Sequence, residues 1–236
     1  VMSCLMEKLG TKFMTPACET ALLQIQYFTA RDFKLDAMLY QQCKEDAIKF
    51  CHAKKTWADV ENEQMDPERG PLVLPCLHRY AYHPDPKMQL SQSCYTEVKR
   101  VMRQRAVSVD LIPEVEDVCL DDLAAFCFDK TQKGEEMECM QQHLEELTKE
   151  CRKAVTVYTE EESAHIELNP LIRSACRYAL EKHCGSFMSG KEDGDVMECL
   201  IALKNDVLKQ NVKCRAAIEH FQLISLKNYV FTHKFK

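Results

Sequence analysis

Three stretches of the chain hold two cysteines with seven residues between them: CKEDAIKFC (Cys43, Cys51), CLDDLAAFC (Cys119, Cys127) and CRYALEKHC (Cys176, Cys184). Thiols at recurring intervals do one of three kinds of chemistry: they hold a metal, exchange electrons as a dithiol, or close disulfides. Zinc sites draw on tight knuckles with two to four intervening residues, which bring two sulfurs to one ion. Redox dithiols use C-x-x-C at a helix N-terminus, where the thiol pKa falls. Neither spacing occurs among the 14 cysteines. An even number of thiols in register points instead to disulfides and an oxidising compartment. Nothing in this pattern calls for a metal, a cofactor or a catalytic nucleophile.

The elements that must position these thiols follow from the remaining intervals. Cys43, Cys51, Cys76 and Cys94 form one group, Cys119, Cys127, Cys139 and Cys151 a second, and Cys176, Cys184, Cys199 and Cys214 a third. Cys4 and Cys18 match the third and fourth members of a group. The interval leading into each full group, from Cys18, Cys94 and Cys151, is 24 residues every time, whereas the two later intervals within a group vary. Fixed intervals belong to rigid elements, and elastic ones contain turns that tolerate insertion.

Residue types repeat with the same register. Ten, eight and four positions before the first cysteine stand Phe33, Leu35 and Leu39, then Val109, Leu111 and Val115, then Ile166, Leu168 and Ile172. Asp36 and Asn169 are good N-caps, and Pro113 and Pro170 suit a first helical position because proline lacks only an N–H that is unbonded there. A helix A therefore starts here. Its position −4, first cysteine, position +4 (Ala47, Leu123, Leu180) and second cysteine share one face of a 3.6-residue helix. Gly70, Gly134, Gly185, Gly190 and Gly194 fall in the elastic interval after helix A, which reads as a loop. Its longest version carries the single tryptophan, Trp57. VMSCLM, VLPCLH, EMECMQ and VMECLI around the third cysteine open a helix B. Thr15, Ser91, Thr148 and Asn211 each stand three residues before a fourth cysteine and cap a helix C, whose apolar face continues at +4 (Leu22, Val98, Val155, Ile218) and +7 (Ile25, Val101, Tyr158, Phe221). Pro16, Pro84 and Pro86 break the chain between B and C.

Composition agrees with an all-α protein. Six glycines in 236 residues are few for a β or loop-built fold, and 46% hydrophobic residues suffice for a core. A net charge of −6 gives no basic field for nucleic acid. No run of about 18 apolar residues suggests membrane contact, no signal peptide opens the sequence, and the chain reads as an excerpt of a longer one.

Geometry suggests how the thiols pair. Eight residues of helix A span about 12 Å, and helix B returns antiparallel over a similar rise. The second cysteine then meets the third across the A–B loop, and the first meets the fourth where helix C begins. Cys51–Cys76, Cys127–Cys139 and Cys184–Cys199 are the expected short bridges, and Cys43–Cys94, Cys119–Cys151 and Cys176–Cys214 the long ones. Four cysteines allow three connectivities, and the sequence does not exclude the other two. Cys4 and Cys18 are expected not to pair with each other and to be free or paired upstream. The units implied are 1–32, the later part of a repeat, then 33–108, 109–165 and 166–236, as tandem disulfide-stapled three-helix repeats in an elongated array.

The helices FKLDAMLYQQCKEDAIKFC and IELNPLIRSACRYALEKHC, followed by VMSCLMEKL or VMECLIAL, resemble the cysteine-rich repeats of the Golgi cysteine-rich fibroblast growth factor receptors. The resemblance covers nearly the whole chain. It implies a luminal or extracellular segment of a type I membrane sialoglycoprotein of the Golgi, reaching the cell surface or secreted, without catalytic activity. The partners it implies are secreted growth factors of the fibroblast growth factor class, with a selectin or a glycosaminoglycan as further partners of the parent protein. The chain departs from the pattern at Ile112, where a cap is expected before Pro113, and in the enlarged loop after Cys51.

Sharper sites compete with plainer readings. His78 and His83 are five apart, not the four that suits a helical metal pair, and no third ligand is evident. Lys99, Arg100, Arg103 and Arg105 form a candidate patch for heparan sulfate or sialic acid, against the plainer reading of a solvated helix face. Glu160, Glu161 and Glu162 offer an acidic face to a basic growth factor, or only a solvated run. No asparagine (Asn62, Asn169, Asn205, Asn211, Asn228) stands in Asn-x-Ser/Thr, so no N-glycan is expected. Two classes remain: a non-enzymatic binding segment, and a saposin-like lipid carrier in which tied helices enclose an apolar cavity. The tandem register and the lack of a Ser-His-Asp or paired-carboxylate constellation favour the first.

Overall fold

The computed structural model describes residues 2–6, 8–9, 11–53, 73–130, 134–188 and 194–227. Trp57, Gly70 and Gly190 of the expected loops, and Asn62 and Asn228, lie outside the described residues. Among the described residues the structure is all-α, with no strand. In chain order the helices are α1 (Met2–Met6), α2 (Pro16–Arg31), α3 (Ala37–Cys51), α4 (Val73–Ala81), α5 (Gln92–Arg105), α6 (Pro113–Phe126), α7 (Glu135–Gln142), α8 (Lys149–Ala164), α9 (Pro170–Ala175), α10 (Arg177–Lys182), α11 (Gly185–Met188), α12 (Asp195–Leu203) and α13 (Val212–Lys227). Helix A is thus α3, α6 and the pair α9–α10; helix B is α1, α4, α7 and α12; helix C is α2, α5, α8 and α13.

Local chemistry accounts for the helix ends. The Asp36 carboxylate accepts the Leu39 amide at 3.0 Å, and the Asn169 side-chain oxygen accepts that of Ile172 at 2.8 Å. Each satisfies one of the first-turn amides that a helix leaves without a backbone acceptor. At the start of α6 Pro113 takes the first helical position, where its missing N–H costs no intrahelical bond. The first helix A, α3, ends at His52, whose φ of 57° turns the chain into the left-handed region. The third helix A is not continuous as expected. It breaks at Cys176, whose φ of −100° and ψ of 11° leave the helical region, yet Cys176 still donates to Ile172 and accepts from Leu180. The interval after it is also not all loop, since α11 occupies part of it.

A 3₁₀ turn precedes each helix A: Phe33–Leu35, Val109–Leu111 and Ile166–Leu168. Phe33, Val109 and Ile166 are buried as the register requires. The next framework position splits: Leu111 and Leu168 are buried, whereas Leu35 is 52% exposed.

The described residues form two compact units, residues 1–105 with 110–114, and residues 106–109 with 115 onward. In the first, α3, α4 and α5 pack around Leu39, Cys43, Ala47, Leu77, Cys94 and Val98, all at 1% exposure or less. Burying each large aliphatic side chain contributes about 1.5–3 kcal/mol. Phe50 stacks on Tyr80 at 4.8 Å and closes the far end of α3 on α4. The second unit repeats the plan twice, with Val115, Cys119, Met140 and Val155 in one core and Ile172, Ala179, Leu200 and Ile218 in the next.

Candidate functional site

The thiols that opened the problem are held in two repeating geometries. The structure joins Cys43 to Cys94, Cys119 to Cys151 and Cys176 to Cys214 with Cα separations of 4.7, 4.8 and 4.7 Å. It joins Cys51 to Cys76, Cys127 to Cys139 and Cys184 to Cys199 at 5.9, 5.9 and 6.0 Å. The same two spacings recur in three repeats of different loop length, so the framework is one unit built three times. Each bridge contributes about 2–4 kcal/mol, mainly by restricting the unfolded chain. Cys4 on α1 and Cys18 on α2 are exposed and free.

A carboxylate reinforces the long bridge in two repeats. Asp46, three residues after Cys43, accepts both the amide and the hydroxyl of Ser91, at 3.0 and 2.7 Å. Asp122, three after Cys119, accepts the hydroxyl of Thr148 at 2.7 Å and its amide at 3.2 Å. Helix A thereby grips the residue that begins helix C. This alters the expected capping: Thr15, Ser91 and Asn211 accept the amide of the fourth cysteine, but Thr148 makes no such bond and turns its hydroxyl to Asp122. In the last repeat Ala179 occupies the aspartate position, and Asn211 instead donates to the carbonyl of Ala175 at 3.2 Å.

The structure does not assemble the four cations of the candidate anionic-ligand patch into one binding surface. Arg100 bonds to Asp36 and Glu97, both at 2.8 Å, and to Gln104 at 2.9 Å. Burial alone would lower its pKa, but the bonds to Asp36 and Glu97 outweigh it, and the pKa is raised. Arg105 is 3% exposed and donates to the Leu111 carbonyl at 2.7 Å and to Glu114. Lys99 and Arg103 are half-buried. Two of the four cations are therefore internal struts of α5, which an anion reaches only by breaking them.

The histidines also part company. His78 is buried against the edge of Tyr82, and burial, reinforced by the Arg105 charge, lowers its pKa to about 4. His83 stacks on Tyr80, and its Nδ1 accepts the Asp85 amide at 3.1 Å. Among the described residues no group of three or more His, Cys, Asp or Glu side chains is placed to hold a metal ion.

The acidic run of α8 does not all face solvent. Glu162 turns inward, 6% exposed, and its Oε2 accepts a 2.6 Å hydrogen bond from Gln141, whose Nε2 also lies 3.1 Å from the Thr159 hydroxyl. Burial pushes the Glu162 carboxyl up to about 7; the Gln141 bond opposes this and the Glu138 charge adds to it. Glu162 and Gln141 line a cleft among α7, α8, α9 and α13 that also includes Tyr158, His220 and Phe221. Its volume of about 30 Å³ accommodates a water or two and no acyl chain. The cleft gives no support to the lipid-carrier reading. Periodicity did not find this cluster, because a polar residue on a core face reads as noise. A signal was present: Gln141 lies two residues after a third cysteine and Glu162 eleven after a fourth, the same two positions as His78 and Arg105.

The sequence matches the family described as Cysteine rich repeat over residues 16–85, 92–148 and 149–208. The chain belongs to the cysteine-rich repeat family. Each matched unit begins with a helix C and ends after helix B, so Cys51–Cys76, Cys127–Cys139 and Cys184–Cys199 close within a unit. Cys43–Cys94 and Cys119–Cys151 tie one matched unit of the cysteine-rich repeat to the next. The chain is 41% identical over its whole length to Golgi apparatus protein 1 of Homo sapiens and 42% to that of Mus musculus, covering 20% of each. It is 40% identical to a Golgi apparatus protein 1 homolog of Caenorhabditis elegans, covering 21% of it. The chain thus spans about a fifth of the length of these relatives, whose names denote a Golgi protein and not an enzyme. No solved structure matches it. Among the described residues no helix is long and apolar enough to cross a membrane.

Proposed function

We propose that this chain is a non-enzymatic binding segment of the Golgi lumen that engages secreted growth factors of the fibroblast growth factor class and contributes to their traffic. The observation that carries the reading is the match of three consecutive units to the cysteine-rich repeat, together with whole-chain similarity to Golgi apparatus proteins. Physical features support it. Helices stapled by six bridges present fixed side chains over a broad surface, and a net charge of −6 favours encounter with a basic ligand. In this reading 1–32 is the later part of a repeat and 33–108, 109–165 and 166–236 are full repeats, a division supported by the three disulfide groups. A selectin or a glycosaminoglycan is a partner of the parent protein in this reading, and any N-glycan-dependent contact lies outside this chain, which has no Asn-x-Ser/Thr.

Surface plasmon resonance with the oxidised chain immobilised and a panel of fibroblast growth factors in solution tests the proposal. Saturable binding that weakens with salt and vanishes after reduction is expected. Absence of binding to every factor, or an equal signal from an unrelated acidic helical protein of the same charge, overturns it.

A further inference from the structure

The cleft around Glu162 joins two neighbouring repeats within one compact unit, because α7 and α8 belong to one and α9 and α13 to the next. Its wall places two carboxylates and an imidazole together. Glu138 on α7 lies with its Oε1 3.2 Å from Nε2 of His220 on α13, an ion-pair distance in which the imidazole N–H is not aligned for a hydrogen bond. Glu162 on α8 is buried beside them, and the charge of Glu138 acts on it. The polar groups that face Glu162 from the packed elements are Glu138 and Gln141 of α7, His220 of α13, Asn169 before α9, and Tyr158 and Thr159 on its own helix. The α12 helix, which meets the end of α8 through the Gly194 amide and Ala164 carbonyl, contributes no lining residue. Tyr158 is committed elsewhere, donating to the Leu168 carbonyl at 3.4 Å.

We propose that this cleft is a proton-operated latch between neighbouring repeats: acidification closes α13 onto α7 and α8, and the approach to neutrality releases it. With its proton on, Glu162 is a neutral group that the buried site accommodates at little cost, held by Gln141, while Glu138 is left as the single carboxylate facing His220. Loss of that proton to solvent puts a second negative charge into a low-dielectric cleft beside Glu138. Opening the cleft relieves this by admitting water to both carboxylates, at the expense of the apolar contacts of Phe221 and Ile224 on the same wall. The latch rests on these helices alone and holds whatever the ligand of the chain is.

Hydrogen exchange of the oxidised 236-residue chain, corrected for the chemical exchange rate, tests it. The sign follows from the proton count: closed cleft binds the Glu162 proton up to about pH 7, whereas an opened, hydrated carboxyl releases it near its ordinary 4.5. Protection of the α13 amides between Ala217 and Ile224 is therefore expected to fall between pH 5 and 7, by up to about tenfold per pH unit, and to level off above pH 7. E162Q should hold the pH 5 protection throughout, with less than about a twofold change per unit. E138Q should level off at lower pH, since it removes the charge that holds the Glu162 proton on. Protection that stays flat from pH 5 to 7 in the unaltered chain overturns the latch. So does a slope that persists in E162Q, and should E162Q not fold, a plateau that E138Q leaves in place does the same.

Discussion

Gln141 Nε2 stands 2.6 Å from Glu162 Oε2, at the two places in its repeat that His78 and Arg105 occupy one repeat earlier. In the last repeat the same positions carry Ile201 and Ser225. The junction of helices B and C thus keeps its backbone and disulfides while its inner pair changes from cationic to acidic to nearly apolar. Where one member is buried and titratable, as His78 and Glu162 are, the pair makes the stability of its repeat depend on pH.

For the first full repeat the dependence has the opposite sign to that of Glu162. Burial, and then the Arg105 charge, hold His78 neutral down to about pH 4 against an ordinary 6.5. Its contribution is fully present above pH 6.5 and is lost as pH falls from there through about 4. The difference of the two values corresponds to roughly 3 kcal/mol. H78Q, which places the residue of the equivalent position there, should flatten the stability curve over that window. Thermal unfolding followed by circular dichroism from pH 7 to 4 measures it, and an unchanged slope contradicts it.

The grip of helix A on the start of helix C gives a graded pair. Asp122 is 6% exposed and Asp46 is half-buried. D122A should cost about 2 kcal/mol, because it removes a nearly buried carboxylate together with the two bonds it accepts from Thr148. D46A, with solvent able to replace it at Ser91, should cost about 1 kcal/mol. Urea denaturation under non-reducing conditions decides between this order and its reverse.

Gly134 has a φ of 80°, donates to the Val107 carbonyl at 3.1 Å, and leaves room for Pro170: a Cβ there would stand 2.7 Å from the proline Cγ. G134A should destabilise by about 2–4 kcal/mol, combining left-handed strain with overpacking. A Tm within a degree of the unaltered protein would show that Pro170 yields freely.

Loop length ranks the bridges. Cys43–Cys94 spans 51 positions and Cys127–Cys139 spans 12. Replacing the first pair by alanine should destabilise by about 1 kcal/mol more than replacing the second, from chain entropy alone. Non-reducing peptide mapping of the unaltered protein should recover all six pairs, and a Cys43–Cys51 peptide would refute the nested framework.

Helices A, B and C were legible because apolar residues and cysteines at four-residue steps mark one face, and because Asp36, Asn169 and the residues before each fourth cysteine have capping chemistry. The α5 cations were not. A helix-end arginine reads as solvated, and only the fold shows that the Leu111 carbonyl and Glu114 curl back to receive Arg105. The Asp122–Thr148 contact was equally hidden, since its partners are 26 positions apart and belong to different helices. Leu35 shows the reverse error: identical in type to Leu111 and Leu168, it finds no neighbour to cover it. Periodicity records which face a helix buries, but not which polar groups on that face meet.

The long bridges also decide how the chain bears tension. A pull along the backbone is short-circuited through Cys43–Cys94, Cys119–Cys151 and Cys176–Cys214, and everything enclosed between those cysteines is shielded from load. Between Cys43 and Cys214 the only backbone left in series is residues 95–118 and 152–175, 24 each, that no bridge spans. Each can be drawn out to roughly 80 Å before the next bridge takes the strain. Load therefore falls on helix C, the turn after it and the first half of helix A, whereas the backbone enclosed by a long bridge lengthens only after that disulfide is reduced.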